Sequence, residues 1–93
     1  MKIRFYIDPF TGLPHIYEHG VDEYEVEEVM EKPSDDKPSS RNSRIATGQT
    51  SSGRYLRIIY VPDPEPNSVF VITAYELRGK SLTAYRRRIR RRR

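Results

Sequence analysis

Hydrophobic and polar residues alternate at the start of the chain. Over residues 2–8, Ile3, Phe5 and Ile7 occupy every second position. Such alternation is typical of a strand with one buried face. The stretch from residue 15 to residue 19 has the length of one helical turn, and Gly20 is suited to end it in a left-handed conformation.

Residues 22–31 are predicted to form a helix with a clearly marked start. Asp22 has the position of an N-cap, and Glu25 three residues later completes a capping box. Val21 and Val26 stand at the spacing of a hydrophobic staple. The apolar stripe predicted to be buried consists of Val26, Val29 and Met30.

Three strand candidates follow a polar stretch. Residues 34–43 are polar and contain Pro38, so we expect a solvated, mobile loop there. Residues 44–50 are polar and are predicted to form a strand near an edge. Residues 54–61 and 69–75 carry apolar side chains on both faces, which predicts that they pair at the centre of the sheet.

The last segment combines a short helical pattern with a strong positive charge. A helix is predicted from Lys80, capped by Ser81, with Leu82 and Tyr85 as apolar anchors and frayed last turns. Seven of the last eight residues are arginines, whereas residues 1–85 contain 10 basic and 13 acidic side chains. The net charge of +4 therefore describes an acidic body with a basic tail.

The order of these elements predicts the fold class. Consecutive strands with short connections favour an antiparallel meander, and we expect an α+β protein of two layers. Its sheet is predicted to be four-stranded and mainly antiparallel, with the helices packed on one face. Residues 1–85 are expected to form a single α+β domain, and residues 86–93 a basic C-terminal tail.

Composition excludes several classes of protein. The chain has no cysteine, which excludes disulfides, a thiolate nucleophile and a classical zinc finger. No apolar run has the length of a membrane helix, and the first residues lack the apolar region of a signal peptide, so a cytoplasmic protein is expected. His15 and His19 are four residues apart without an evident third ligand, and we expect neither a metal nor a cofactor.

Several segments together resemble a known family. They are the step His19-Gly20-Val21 before the acidic helix, the run Gly48–Tyr60, the run Val71–Glu76, and the basic helix after Tyr85. These resemble BrnT-type toxins of the RelE superfamily and a related small uncharacterised bacterial family, over roughly residues 1–88. The sequence departs from the toxin pattern at Glu18, where the toxins have a lysine, and at Tyr75, where they have an arginine.

The resemblance implies a RelE-like sheet, a basic groove for RNA, and metal-independent endoribonuclease activity within a toxin–antitoxin pair. Such cleavage needs a base, a cation for the phosphorane and an acid for the leaving oxygen. His19 is the candidate base, and Tyr75 the candidate acid or stacking residue. The candidate phosphate ligand is Arg57 on the central strand, or Arg54 at the start of that strand, with Arg78 as a further candidate.

The tail supplies candidates for sequence-independent RNA binding. Arginines neutralise phosphates and release counterions, and tyrosines stack on bases. The candidate RNA-binding residues outside the catalytic set are Arg54, Tyr85, Arg86, Arg87, Arg88, Arg90 and Arg91.

Each candidate also has a structural interpretation. His19 would serve as a helix cap, Arg57 would pair with a glutamate, Tyr75 would pack at a strand end, and His15 is assigned to structure or solvent. The tail would act in solubility, in contact with an acidic partner, or in pairing with the protein's own acidic helix.

The expected function is therefore an RNA-binding protein of the RelE/BrnT type, with ribonuclease activity as its catalytic version. RNA and a cognate antitoxin are the expected partners. The alternative is a non-catalytic binding module, either an inactive toxin relative or a partner-binding protein. No phosphate-binding glycine loop or nucleophile elbow supports an enzyme acting on a small molecule.

Overall fold

A computed structural model describes residues 1–91 of the chain. Arg92 and Arg93, the last two residues of the predicted tail, lie outside the described residues. Two short 3₁₀ helices, His15–His19 and Ser40–Asn42, join the main elements. The strands and helices are β1 (Lys2–Phe5), α1 (Glu23–Glu31), β2 (Asp35–Pro38), β3 (Arg44–Gln49), β4 (Tyr55–Pro62), β5 (Ser68–Glu76) and α2 (Gly79–Arg91).

The protein is an α+β structure with a five-stranded mixed sheet in the order β1-β5-β4-β3-β2. The prediction of four strands is wrong, because the sheet has five, and the sheet is mixed. Strand β1 runs parallel to β5, with Ile3 opposite Val69, while the other three pairs are antiparallel. The predicted pairing of β4 with β5 is confirmed, and β4 lies in the middle of the sheet.

The fifth strand, β2, lies where a mobile loop was predicted. Its four residues are polar or proline, so hydropathy gives no sign of a strand. It is an edge strand with Pro38 at its end, where a missing N–H is tolerated. Asp36 fixes it, because its two carboxylate oxygens accept hydrogen bonds from Arg44 (3.0 Å) and Tyr60 (2.6 Å). Strand β3 is therefore not an edge, and Ala46, Thr47 and Gly48 are buried.

The two helices lie on opposite faces of the sheet, so the prediction that the helices pack on one face is wrong. Helix α1 packs on the face that carries Leu56 and Ile58, so closely that a Cβ on Gly48 would meet the Val29 side chain at 3.0 Å. Helix α2 covers part of the other face through Tyr85, which lies against Tyr55. The core is continuous on the α1 face, whereas β4 side chains on the α2 face are only half-buried.

Local signals in the sequence locate the turns and the start of α1. The capping box is confirmed, since the Asp22 carboxylate accepts the Glu25 N–H at 2.9 Å and the Glu25 carboxylate accepts the Asp22 N–H at 3.1 Å. Gly20 ends the first 3₁₀ helix with a φ of 71°, as predicted. Ser81 does not cap α2, because the helix begins two residues earlier at Gly79 and continues through the predicted tail to Arg91.

A candidate nucleic-acid interface

Four ring side chains form a row along one side of the molecule. The centroids of Tyr6 and His15 are 6.1 Å apart, those of His15 and His19 are 5.4 Å apart, and those of His19 and Tyr75 are 6.2 Å apart. The first 3₁₀ helix places the two histidines, and β5 places Tyr75. The row therefore brings the candidate base into contact with the candidate acid.

Arg57 joins this row through the sheet. It stands directly opposite Tyr75 in the pairing of β4 with β5, and such partners have Cβ atoms about 4.5–5.5 Å apart. Arg4 and Arg44, the other arginines of the strands, form ion pairs with Asp63 and Asp36. Within residues 1–91, Arg57 has no carboxylate in ion-pair range. The predicted alternative, a pair with a helix glutamate, is thus not the arrangement seen.

Arg54 and Arg78 lie apart from this row. The guanidinium of Arg54 bridges Glu25 of α1 (2.6 Å) and Glu76 of β5 (3.2 Å). Burial tends to lower the Arg54 pKa, but the hydrogen bonds and charges of the two glutamates outweigh it and raise the pKa. Arg78 also binds Glu76, at 3.2 Å. Adjacent strand residues point to opposite faces, so Glu76 holds both arginines away from Tyr75.

The arginines of α2 form two groups: Arg86 and Arg88 contact the body of the protein through aromatic rings or a carboxylate, and the others are exposed. Arg88 donates to Asp35 of β2 at 2.9 Å and lies over the Tyr85 ring at 5.2 Å. Arg86 lies 5.9 Å from the Tyr55 ring centroid, beside a shallow groove that Arg90 and Ile89 also line. Arg87, Arg90 and Arg91 are exposed and have no carboxylate partner within the part of the chain that the structure describes. Up to Arg91, the tail thus pairs with the body at Asp35 of an edge strand and not with α1.

Tyr85 anchors α2 instead of presenting a ring to solvent. Its side chain is buried, its hydroxyl contacts that of Ser34, and it also reaches the Thr47 carbonyl oxygen at 3.4 Å. The exposed part of the tail therefore continues a helix that is held to the sheet.

Sequence reasoning missed a cluster around His15. Its Nδ1 lies 3.3 Å from a carboxylate oxygen of Asp8 and 3.6 Å from one of Glu18. The hydrogen bond from the Phe10 N–H, followed by that from His15, lowers the pKa of Asp8. The spacing of His15 and Glu18 was a partial signal, since residues three apart lie on the same side of a 3₁₀ helix. The proximity of Asp8 to His15 depends on the turn after β1 and could not be predicted from spacing. Among the described residues, these three form the one group of potential metal ligands whose ligand atoms all lie within 4.8 Å of one another.

None of the helices in residues 1–91 combines the length and apolar character that crossing a bilayer requires. Searches for similar proteins matched no curated protein and no solved structure. A model of the family described as "Domain of unknown function (DUF4258)" matches residues 15–76, about two thirds of the chain, from the first histidine to the end of β5. The matched segment contains His15, His19, Arg57 and Tyr75, and the chain belongs to this DUF4258 family.

Proposed function

We propose that the protein binds single-stranded RNA along the open face of its sheet. The observation that carries this proposal is a track of alternating cationic and aromatic side chains: Arg86, Tyr55, Arg57, Tyr75 and His19. Tyr55 and Arg57 are on the same face of β4, two residues apart, which corresponds to ~6.6 Å along the strand. Guanidinium groups suit contacts with phosphates, and rings beside them suit stacking of unpaired bases.

Charge supports an anionic ligand for this face. Arg57 is half-buried without a carboxylate from residues 1–91, whereas Arg4 of β1 and Arg44 of β3 form ion pairs with aspartates. Arg87, Arg90 and Arg91 extend the positive charge along α2 and contribute affinity that depends on salt but not on base sequence. Together with the BrnT-like segments of the sequence, this arrangement supports a RelE-like fold and a cytoplasmic RNA target. A cognate antitoxin would then cover the same face.

The track also contains the groups that metal-independent cleavage requires. In the proposed reaction, His19 takes the proton of a 2′-hydroxyl, O2′ bonds to phosphorus, and the bond from phosphorus to O5′ breaks. Arg57 stabilises the charge on the phosphorane, and the Tyr75 hydroxyl protonates the leaving O5′. The products are a 2′,3′-cyclic phosphate and a free 5′-hydroxyl.

One observation favours the second candidate, a binding module without catalysis. Glu76 forms ion pairs with Arg78 and Arg54, so Arg57 is, among the described residues, the one catalytic-candidate arginine that stands opposite Tyr75 without a carboxylate partner. The charge that develops on the phosphorane would then be stabilised by one guanidinium alone. RNA binding is common to both candidates, and cleavage distinguishes them.

The test of RNA binding uses fluorescence anisotropy with a labelled unstructured RNA. Arg57→Ala is expected to weaken binding at least tenfold, because it removes a phosphate ligand at the centre of the track. The matched control is Arg41→Ala, which removes an exposed arginine beyond the opposite end of β3 and should change affinity less than twofold. Equal losses for the two variants, or no RNA binding by the wild type, would refute the proposal.

A further inference from the structure

Asp8, His15 and Glu18 are arranged like the ligands of a divalent metal ion. Their ligand atoms all lie within 4.8 Å of one another, with 3.3 Å from Asp8 Oδ2 to His15 Nδ1 and 3.6 Å from His15 Nδ1 to Glu18 Oε2. In a tetrahedral zinc site with bonds of about 2.0–2.2 Å, ligand atoms are separated by roughly 3.3–3.6 Å. One ion can therefore reach all three atoms with small side-chain movements.

The backbone holds this cluster in place. The Asp8 side chain is only 10% exposed, and its second oxygen accepts the Phe10 N–H at 2.8 Å, which leaves Oδ2 directed at His15. A bridge between Ile7 and Pro14 closes the loop that separates Asp8 from His15. Glu18 follows His15 by one 3₁₀ turn and so lies on the same side of the helix. Little ordering is required when an ion binds.

The charge of the cluster favours a cation. Two carboxylates face a single imidazole, and within residues 1–91 no lysine or arginine pairs with either of them. A single imidazole can balance at most one of the two carboxylates. A divalent ion would balance both carboxylates and could bind the Nδ1 of His15, the atom that already faces them.

We propose that Asp8, His15 and Glu18 bind one Zn²⁺ ion, with solvent completing the coordination. One nitrogen and two carboxylate oxygens suit the borderline preference of zinc, and Mg²⁺ prefers sites made of oxygen alone. The Glu18 side chain is 49% exposed, so the fourth position opens to water. The proposal is independent of RNA binding, since none of the three ligands belongs to the RNA track.

The full chain is first freed of metal with EDTA and dialysed. It is then titrated with ZnCl₂ in a calorimeter, and the titration is repeated with MgCl₂. We expect one Zn²⁺ per chain and at least tenfold weaker Mg²⁺ binding. Co²⁺ as a spectroscopic probe should give the visible absorption of a low-coordinate site with nitrogen and oxygen ligands.

Variants then assign the ligands. The Glu18 side chain is exposed, so Glu18→Gln should leave the fold intact while weakening Zn²⁺ affinity at least tenfold. Asp8→Asn keeps an acceptor for the Phe10 N–H and should have the same effect. His19→Ala is the matched control, because it removes the neighbouring imidazole and should change Zn²⁺ affinity less than threefold. Absence of Zn²⁺ binding, unchanged binding in Glu18→Gln, or loss of binding in His19→Ala would overturn the proposal.

Discussion

Tyr75 of β5 stands directly opposite Arg57 of β4, and its ring also touches His19 from the first 3₁₀ helix. Three residues that are far apart in the sequence thus meet on one face of the sheet.

Removal of the His19 imidazole tests the catalytic version of the proposed function. Purified wild type should cleave an unstructured RNA in the presence of EDTA, and His19→Ala should slow cleavage by ~10²-fold or more, because a positioned base contributes on that scale. His15→Ala is the control with the other imidazole removed and should retain most activity. Products are identified by their cyclic phosphate ends. An inactive wild type that still binds RNA would establish the binding module instead.

Two arginines of α2 should differ in their effect on RNA binding. Arg90 is exposed and has no carboxylate partner within residues 1–91, whereas Arg88 is already paired with Asp35. Arg90→Ala should reduce the slope of log affinity against log salt by about 0.7, the value for one phosphate contact on a single strand. Arg88→Ala should reduce it less. The slopes come from anisotropy titrations at four salt concentrations, and equal slopes for both variants would contradict the division of the helix into two groups.

Tyr85 should matter to stability through its ring more than through its hydroxyl. Its side chain is buried against Tyr55 and the segment after α1. Tyr85→Ala should destabilise the fold by about 3–5 kcal/mol, and Tyr85→Phe by about 1 kcal/mol through the lost hydrogen bonds. Urea denaturation measures both. An unaffected Tyr85→Ala would mean that α2 does not dock on the sheet.

The capping box of α1 should contribute measurably to stability. Asp22→Ala removes the acceptor for the Glu25 N–H and should cost about 1 kcal/mol. Asp22→Asn keeps an acceptor and should cost less than half as much. Thermal denaturation followed by circular dichroism compares the two, and equal melting temperatures for Asp22→Ala and wild type would exclude a stabilising cap.

Asp63 should contribute to acid sensitivity. Hydrogen bonds from Arg4 and Ser68 lower the pKa of Asp63 from 3.8 to about 2. The folded-state pKa is below the unfolded-state value, so this carboxylate stabilises the fold above pH ~4 and loses that contribution as the pH falls from about 4 towards 2. Arg4→Met should flatten this part of the curve of unfolding free energy against pH. A curve that keeps its wild-type shape would show that the ion pair does not act in solution.

The sequence by itself determined the features that depend on neighbouring residues. Asp22 and Glu25 are three positions apart, so their capping box could be predicted from spacing alone, as could the left-handed Gly20 and the apolar stripe of α1. The pairing of β4 with β5 followed from apolar residues on both faces. These signals depend on residues close in sequence or on which positions are apolar, and both can be read from the residue types alone.

Only the tertiary structure decided which polar side chains meet. Hydrogen bonds from Arg44 and Tyr60 to the Asp36 carboxylate hold strand β2 in the sheet, and a hydropathy pattern does not predict such bonds. The parallel pairing of β1, the position of α2 on the second face, and the engagement of Arg54 by two glutamates likewise depend on long-range contacts. These contacts join groups that the turns of the chain bring together in space. The number of residues between two such groups does not predict how close they lie in the folded protein.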